Sequence, residues 1–192
     1  MNIAVKTASG RCIVRPDTTL ERNSKDFFPP EFVDGLSWSP VLFARVCKAG
    51  RSVGKEFAGR YYDAVGYGIL LYPRDLLDGS PEAYACASCL DHTSFLPFPL
   101  FNKLTLGQGN SFRLYVRKEG KARRCIYKHD EGTAGMIEDA IVAITTNIFI
   151  RTGDLVAIEL KKRSGLCTAA DKSLEVDATY CGIQTMSFYI KY

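Results

Sequence analysis

No run of apolar residues in this chain approaches the ~20 residues that a membrane-spanning helix requires, and none at the start has the length found in a secretory signal peptide. These two absences predict a cytoplasmic protein that does not span a membrane. Low-complexity segments, blocks of like charge and internal repeats are absent too, which argues against a disordered or repeat protein. The 192 residues, 46% hydrophobic and 24% charged, are typical of one globular domain.

Histidine is scarce: His92 and His129 are the only two. Cys86-Ala-Ser-Cys89 is followed by Asp91 and His92, and such a pair of cysteines can bind zinc or run thiol–disulfide exchange. No second ligand pair accompanies it, and no helical pattern follows Cys86. The seven cysteines are odd in number and scattered, so we expect reduced thiols. A metal-free enzyme built around Cys89, His92 or His129 remains an alternative.

The net charge of +4 is mild, but two basic clusters stand out, Lys118 to Arg124 with Lys128, and Lys161 to Arg163. Aromatic residues do not interleave with these charges as they do in a stacking platform for single-stranded nucleic acid. We therefore expect solvated hairpin tips and no nucleic-acid partner.

The first half of the chain predicts a crossover unit. Residues 1–36 are polar and interrupted by Pro29-Pro30, so we expect an irregular segment. Residues 41–47 have a strand composition. Residues 55–65 carry Phe57, Tyr61, Ala64 and Val65 on one helical face, and Gly66 could end that helix. A buried strand follows, which makes residues 41–72 a strand–helix–strand unit.

The second half predicts more strands. Residues 78–111, rich in Gly, Ser and Pro, indicate loops or short strands, and residues 112–129 a hairpin. Residues 136–148 have one apolar helical stripe. A turn at 152–154 leads into the strand LVAIEL, and the tail is again rich in β-forming residues. We predict a mixed α/β, strand-dominated fold with few helices, one domain over 1–192 whose core spans 37–192.

The segment GYGILLYPRDLL, residues 66–77, reads as a buried strand that opens into a loop. Within it, Ile69 to Tyr72 carry no group that ionises below pH ~10. The charged side chains near the strand mouth are Arg74 and Asp75, and in the first half of the chain the only close acidic pair outside the predicted helix and this loop is Glu31 with Asp34. These four residues are the candidate catalytic residues, although surface acids before a core strand are more often merely solvated.

The order of these motifs resembles that of the fumarylacetoacetate hydrolase family. Val65-Gly66-Tyr67 is similar to the family's VxGY, and Arg74-Asp75-Leu76 to the end of its NDVSARDLQ strand. Residues 112–127 resemble its hairpin, and residues 136–150 its late helix. The turn RTGDLV, residues 151–156, resembles its PGDLI, and SLEVDATYCGI, residues 173–183, its closing strand. The resemblance implies a β-roll or sandwich with few helices.

The positions that bind metal in that family differ here. Its ExE and strand aspartate bind Mg²⁺, Mn²⁺ or Ca²⁺, and the resemblance places them at Ser39, Val41 and Leu70. Its substrate-binding lysine and threonine fall near Ser88 and Leu160. A divalent cation needs oxygen ligands at ~2.0–2.6 Å, which valine and leucine cannot supply.

The resemblance therefore implies a degenerate member that has lost the metal centre, with no cofactor. It would act by binding a small molecule or as a partner subunit, in a homodimer or beside an active relative. The alternative is a metal-dependent C–C hydrolase, isomerase or decarboxylase of 2-oxo or 1,3-dicarbonyl acids. That enzyme would use Mg²⁺ or Mn²⁺ held by Glu31, Asp34 or Asp75.

Overall fold

Two β-sheets packed face to face form the structure, a computed structural model that describes all 192 residues. The strands in chain order are β1 Asn2–Lys6, β2 Cys12–Pro16, β3 Leu20–Glu21, β4 Gly35–Val46, β5 Tyr62–Pro73, β6 Ser94–Phe95, β7 Phe101–Asn102, β8 Phe112–Lys118, β9 Arg124–His129, β10 Leu155–Glu159, β11 Ser164–Thr168, β12 Ser173–Tyr180 and β13 Ile183–Lys191. The α-helices are α1 Lys55–Ala58, α2 Pro81–Ala87 and α3 Ala134–Thr145. None of them is long and apolar enough to cross a membrane. The predicted strand-dominated class is confirmed.

The larger sheet has nine strands in the order β2-β1-β10-β4-β5-β6-β3, with β11 paired to β4 and β7 to β5. The smaller sheet runs β13-β12-β8-β9. Between them lies a core of 34 buried hydrophobic residues to which α3 contributes Ile137, Ala140, Ile141 and Ile144. The expected late helix, hairpin and closing strands are therefore confirmed.

The expectation of a helix over residues 55–65 is wrong beyond its first turn. Helix α1 ends at Ala58, and Tyr62 to Val65 open strand β5, where Val65 pairs with Ala44. Tertiary pairing overrides the helical spacing, because Tyr and Val suit a half-buried pleated surface. The strands β4 and β5 are antiparallel neighbours, so the predicted crossover unit is a long hairpin with a helical turn in its loop.

Gly66 does not end a helix but lies within β5. A Cβ there would stand 2.7 Å from Cζ of Phe43, and a Cβ at Gly68 would stand 2.1 Å from the carbonyl oxygen of Phe95. Glycine is needed at both positions because an aromatic ring and a neighbouring backbone approach β5 closely there.

Residues 1–36 are not irregular, contrary to expectation. Strand β1 pairs in parallel with β10, with Ile3 opposite Leu155, and antiparallel with β2. Ile3 and Val5 are completely buried. The segment is polar overall, and the five residues of β1 are too few for their apolar character to indicate a strand. The region 78–111 likewise contains helix α2, in which Ser80 accepts a hydrogen bond from the Ala83 N–H and Pro81 begins the first turn.

Candidate functional site

The three positions where the resemblance places metal ligands lie together on one face of the larger sheet. Ser39 and Leu70 are direct cross-strand partners in the β4–β5 pair, and Val41 points to the same side two residues further along β4. All three side chains are completely buried. The geometry thus brings these positions to one place, as a ligand set would require.

The chemistry of these side chains does not suit a divalent cation. Val41 and Leu70 belong to a cluster of ten buried hydrophobic residues, which we call the small cluster. The hydroxyl of Ser39 donates to the carbonyl oxygen of Lys161 at 2.7 Å. A hard cation would lose its hydration here, and none of these three side chains would give it a carboxylate in return. Throughout the chain no group of three or more His, Cys, Asp and Glu side chains is placed to hold a metal ion.

The two substrate-contact positions lie nearby but carry other contacts. Ser88 follows α2 and is 2% exposed, and its hydroxyl donates to the carbonyl oxygen of Tyr84 at 2.8 Å. The N–H of Leu160 donates to the carbonyl oxygen of Pro40 at 2.9 Å, which ties the end of β10 to β4. Neither side chain offers the charge of a lysine.

Tyr72, a member of the small cluster, also belongs to a group of polar residues that sequence reasoning missed. Tyr72, two residues beyond Leu70 on the same face of β5, donates its hydroxyl hydrogen to Oε1 of Glu159 at 2.6 Å. Glu159 is opposite Val41 in the β10–β4 pair. Its second oxygen accepts from the Ala8 N–H at 2.9 Å. The carboxylate of Glu159 thus links the end of β10 to β5, through Tyr72, and to the turn after β1, through Ala8.

A buried guanidinium completes this group. Arg15, on β2, is fully buried, and its Nη2 donates to the carbonyl oxygen of Leu71 at 3.2 Å and to Oγ1 of Thr93 at 2.6 Å. Its Nε and Nη1 have no hydrogen-bond partner in the protein. The guanidinium carbon lies 4.8 Å from the centre of the Tyr72 ring, within the range of a cation–π interaction.

Aromatic and cationic side chains cover the group from the solvent side. The rings of Tyr72 and Tyr84 are stacked with centroids 5.6 Å apart, and the exposed guanidinium of Arg163 lies 4.2 Å from the Tyr84 ring centroid. Burial, as the main cause, raises the pKa of Tyr72 well above its ordinary value and also raises the pKa of Tyr84. Tyr72 therefore stays protonated and remains a donor to Glu159.

The acids proposed from sequence form a separate, exposed cleft. Asp34, Arg74 and Asp75 line a depression of about 460 Å³, whereas Glu31 is exposed outside it. Oδ2 of Asp75 accepts from the N–H groups of Asp34 at 2.9 Å and Gly35 at 3.2 Å, so this carboxylate fixes the start of β4. The structure therefore brings Asp34, Arg74 and Asp75 together, and Asp75 among them holds the start of β4 in place.

The cysteine and histidine candidates are not gathered into one site. Cys86 lies in α2 and Cys89 just beyond it, both exposed. His92 faces Glu21, with Nδ1 3.7 Å from Oε2. His129 ends β9 in the smaller sheet, near the Tyr67 ring, and burial is the main cause that lowers its pKa.

Arg15 and Glu159 were missed for different reasons. Arg15 lies in residues 1–36, which were expected to be irregular because they are polar, although they contain β1 and β2. Glu159 is an acid inside the apolar run LVAIEL, and an acid at the end of a strand that is buried on both faces is a signal that could have been noticed.

Comparison with solved structures places the fold. A fumarylpyruvate hydrolase from Pseudomonas aeruginosa, solved in complex with Mn²⁺ and pyruvate, is 13% identical, with a TM-score of 0.76, and the match covers 100% of this chain and 89% of that one. A protein from Yersinia pestis CO92 assigned to the fumarylacetoacetate hydrolase family is 13% identical, with a TM-score of 0.76, and the match covers 98% of this chain and 91% of that one. An Escherichia coli protein assigned as an isomerase is 14% identical, with a TM-score of 0.74, and the match covers 98% of this chain and 91% of that one.

No family model matches the sequence, and no curated protein does. At this identity the likeness concerns the fold alone. The chain therefore has the fumarylacetoacetate hydrolase fold, and the resemblance inferred from the order of the motifs is confirmed at that level.

Proposed function

We propose that this chain is a fumarylacetoacetate hydrolase-fold protein without the family's divalent-metal centre, and that it acts by binding a small molecule or as a partner subunit. One observation carries the proposal: Ser39, Val41 and Leu70 converge on one face, but Val41 and Leu70 belong to the hydrophobic small cluster and the Ser39 hydroxyl is bonded to the main chain. Three side chains that converge in this way can pack the two strands together, but they cannot supply the carboxylate ligands of a divalent metal.

The position of Arg15 supports the same conclusion. Its guanidinium is bonded to the carbonyl oxygen of Leu71, the residue next to Leu70, and arginine stays protonated in proteins. A fixed positive charge in a buried, poorly screened place opposes the entry of a second cation. The carboxylate of this group, that of Glu159, already accepts hydrogen bonds through both oxygens, from Tyr72 and from the Ala8 N–H.

Metal binding is the direct test. A cation present at 100 times its dissociation constant would stabilise the native state by about 2.7 kcal/mol, which for a chain of this length raises the melting temperature by roughly 5–10 °C. We expect millimolar Mn²⁺ or Mg²⁺ to shift it by less than about 1 °C, and EDTA to have no effect. Electron paramagnetic resonance of Mn²⁺ should show only the free ion.

Restoring the carboxylates tests the assigned positions. The triple variant Ser39→Glu, Val41→Glu, Leu70→Asp should bind Mn²⁺, and its melting temperature should rise with added metal. The matched control is Ser39→Gln, Val41→Gln, Leu70→Asn, which has nearly the same shape without charge and should not respond. If both variants are destabilised and neither responds to metal, the positions are wrongly assigned.

The alternative, a metal-dependent hydrolase, isomerase or decarboxylase, is supported by the fold it shares with a fumarylpyruvate hydrolase that binds Mn²⁺ and pyruvate. Asp34 and Asp75 in their exposed cleft would then be the ligands. Release of pyruvate from fumarylpyruvate, followed with lactate dehydrogenase, tests it. Mn²⁺-dependent turnover that Asp34→Asn abolishes and Asp63→Asn leaves intact would establish the enzyme and end our proposal.

We further propose a homodimer, or association with a relative of the same fold, in the cytoplasm. Phe28 and Phe32, close in sequence, are 66% and 57% exposed, which is unusual for large apolar rings and suits a subunit contact. The exposed thiols of Cys47, Cys86, Cys89 and Cys125 favour a reducing compartment. Light scattering of the native chain and of Phe28→Glu tests the dimer: a monomer in both cases contradicts it.

A further inference from the structure

The fold brings the two basic clusters of the sequence to the same groove. Strands β8 and β9 contribute Lys118 and Arg124, and the turn between β10 and β11 contributes Lys161. The groove, about 400 Å³ in volume, lies between the smaller sheet and β11 and has no acidic residue in its lining. A volume of this size suits a small ligand.

Two of these three cations have no acidic partner. Lys118 pairs with Asp171 at 2.5 Å, whereas neither Arg124 nor Lys161 lies within 4 Å of any carboxylate. Both side chains are exposed, so an incoming anion can reach them. Unpaired, exposed cations around a concave surface attract an anion and can donate charge-assisted hydrogen bonds to it.

Four hydrophobic side chains form the floor of the groove, Trp38, Val116, Ile126 and Leu166, while polar atoms make up the larger part of its accessible surface. Trp38 is 3% exposed, and the ammonium nitrogen of Lys161 lies 5.6 Å from the centre of its ring. An aromatic or aliphatic body could pack on this floor while its charged end faced the cations at the rim.

We infer that this groove binds a small organic anion with a flat apolar body and a carboxylate or phosphate headgroup. The headgroup would lie between the Arg124 guanidinium and the Lys161 ammonium. Trp38 points to the opposite face of β4 from Ser39, so this site is distinct from the face that holds the three metal-ligand positions. The inference is therefore independent of whether the protein binds metal.

Trp38 provides the readout, because it is the only tryptophan in the chain. Titration with phenyl phosphate should change its fluorescence saturably, and benzoate should do so as well if the site takes carboxylates. Phenol lacks the charge and inorganic phosphate lacks the apolar body, so both should bind at least about tenfold more weakly than phenyl phosphate. Equal binding of either fragment and phenyl phosphate would overturn the inference.

The neighbouring lysines supply a matched pair of variants. Lys161→Gln should weaken phenyl phosphate binding about three- to tenfold, and so should Arg124→Gln. Lys162→Gln removes the same charge one residue away, outside the groove, and should leave the affinity unchanged. Equal weakening by Lys161→Gln and Lys162→Gln would mean a diffuse electrostatic effect and would contradict a built site.

An independent readout uses Cys125, an exposed thiol in the groove lining. Phenyl phosphate should slow its alkylation by iodoacetamide, measured by mass spectrometry of the peptides. Cys86 is also exposed but does not line the groove, and its alkylation should proceed at the same rate with and without the compound. Protection of both thiols, or of neither, argues against occupation of the groove.

A single-stranded oligonucleotide that displaced phenyl phosphate, and whose binding depended equally on Lys161 and Lys162, would also overturn the inference, in favour of nucleic-acid binding.

Discussion

The two faces of the β4–β5 hairpin are filled in different ways. One face contributes Trp38, Leu42, Tyr67 and Ile69 to the large core between the sheets. The other carries the small cluster, with the group formed by Arg15, Tyr72 and Glu159 beside it. Successive residues of the same two strands therefore serve a continuous apolar core and a partly polar face.

The largest effect is expected where the large core is cut. Ile141 of α3 is completely buried in it, and Ile141→Ala should reduce the free energy of unfolding by about 2–5 kcal/mol in chemical denaturation. Val142, its half-buried neighbour, is the control, and Val142→Ala should cost clearly less. A loss below about 0.5 kcal/mol for Ile141→Ala would place the stripe in solvent and remove the contrast between the faces.

A smaller loss is expected on the polar face. Tyr72→Phe removes the donor to Oε1 of Glu159 and leaves a buried acceptor unsatisfied, at a cost of about 1–3 kcal/mol. Tyr84→Phe is the control, because its hydroxyl lies 3.4 Å from that of Tyr72 and is only partly buried. A loss near zero for Tyr72→Phe would show that the rings, which both variants keep, stabilise this face rather than the Tyr72–Glu159 hydrogen bond.

The pH dependence of stability should contain a contribution from His129. Burial lowers its pKa below the ordinary histidine value of about 6.5, so the unfolded chain takes up the proton first as the pH falls. Stability should therefore decrease as the pH falls from about 6.5 towards the lowered pKa, and level off below it. His129→Asn should flatten the urea-denaturation profile in that interval, whereas the exposed His92→Asn should not. A profile of the same slope in wild type and His129→Asn would contradict this.

The smallest effect on stability is expected at Arg15. Its guanidinium is buried with two nitrogens unpartnered, so its removal relieves a desolvated charge. The same removal takes a donor from the carbonyl oxygen of Leu71 and from Oγ1 of Thr93, and the two effects offset each other. Arg15→Met should therefore change the free energy of unfolding by less than about 1 kcal/mol. A loss above about 3 kcal/mol would show that the polar face stabilises the fold as much as the large core does.

Sequence reasoning succeeded where local pattern and tertiary position agree. The hairpin of β8 and β9, the stripe of α3 and the strand β10 each have a period that matches the surface they bury. It failed at Tyr62 to Val65, whose spacing fits a helix but whose partners on β4 make a strand. It failed at β1 as well, because a five-residue strand gives little periodicity and its partner lies near the other end of the chain.

The candidate sites were harder to predict because their parts are distant in sequence. Arg74 and Asp75 are adjacent, but nothing local indicates that Asp75 caps the strand that begins 40 residues earlier. The Tyr72–Glu159 bond joins residues 87 positions apart. The basic cluster at Lys118 to Arg124 lies at a hairpin tip, as the sequence predicts, between β8 and β9. The cluster at Lys161 to Arg163 does not, because β10 and β11 both pair with β4 and not with each other. Their meeting in one groove depends on tertiary packing that no local pattern indicates.

The parallel pairing of β1 with β10 has a consequence for folding during synthesis. Ile3 lies against Leu155 in the finished sheet, so the first strand leaves the ribosome long before its partner exists. Until then Ile3 and Val5, both fully buried in the native protein, have no sheet to cover them. Such long-range pairing slows folding and exposes apolar strands to aggregation. The larger sheet can close only after Leu155 has been made, and until then β1 can pair with β2 alone.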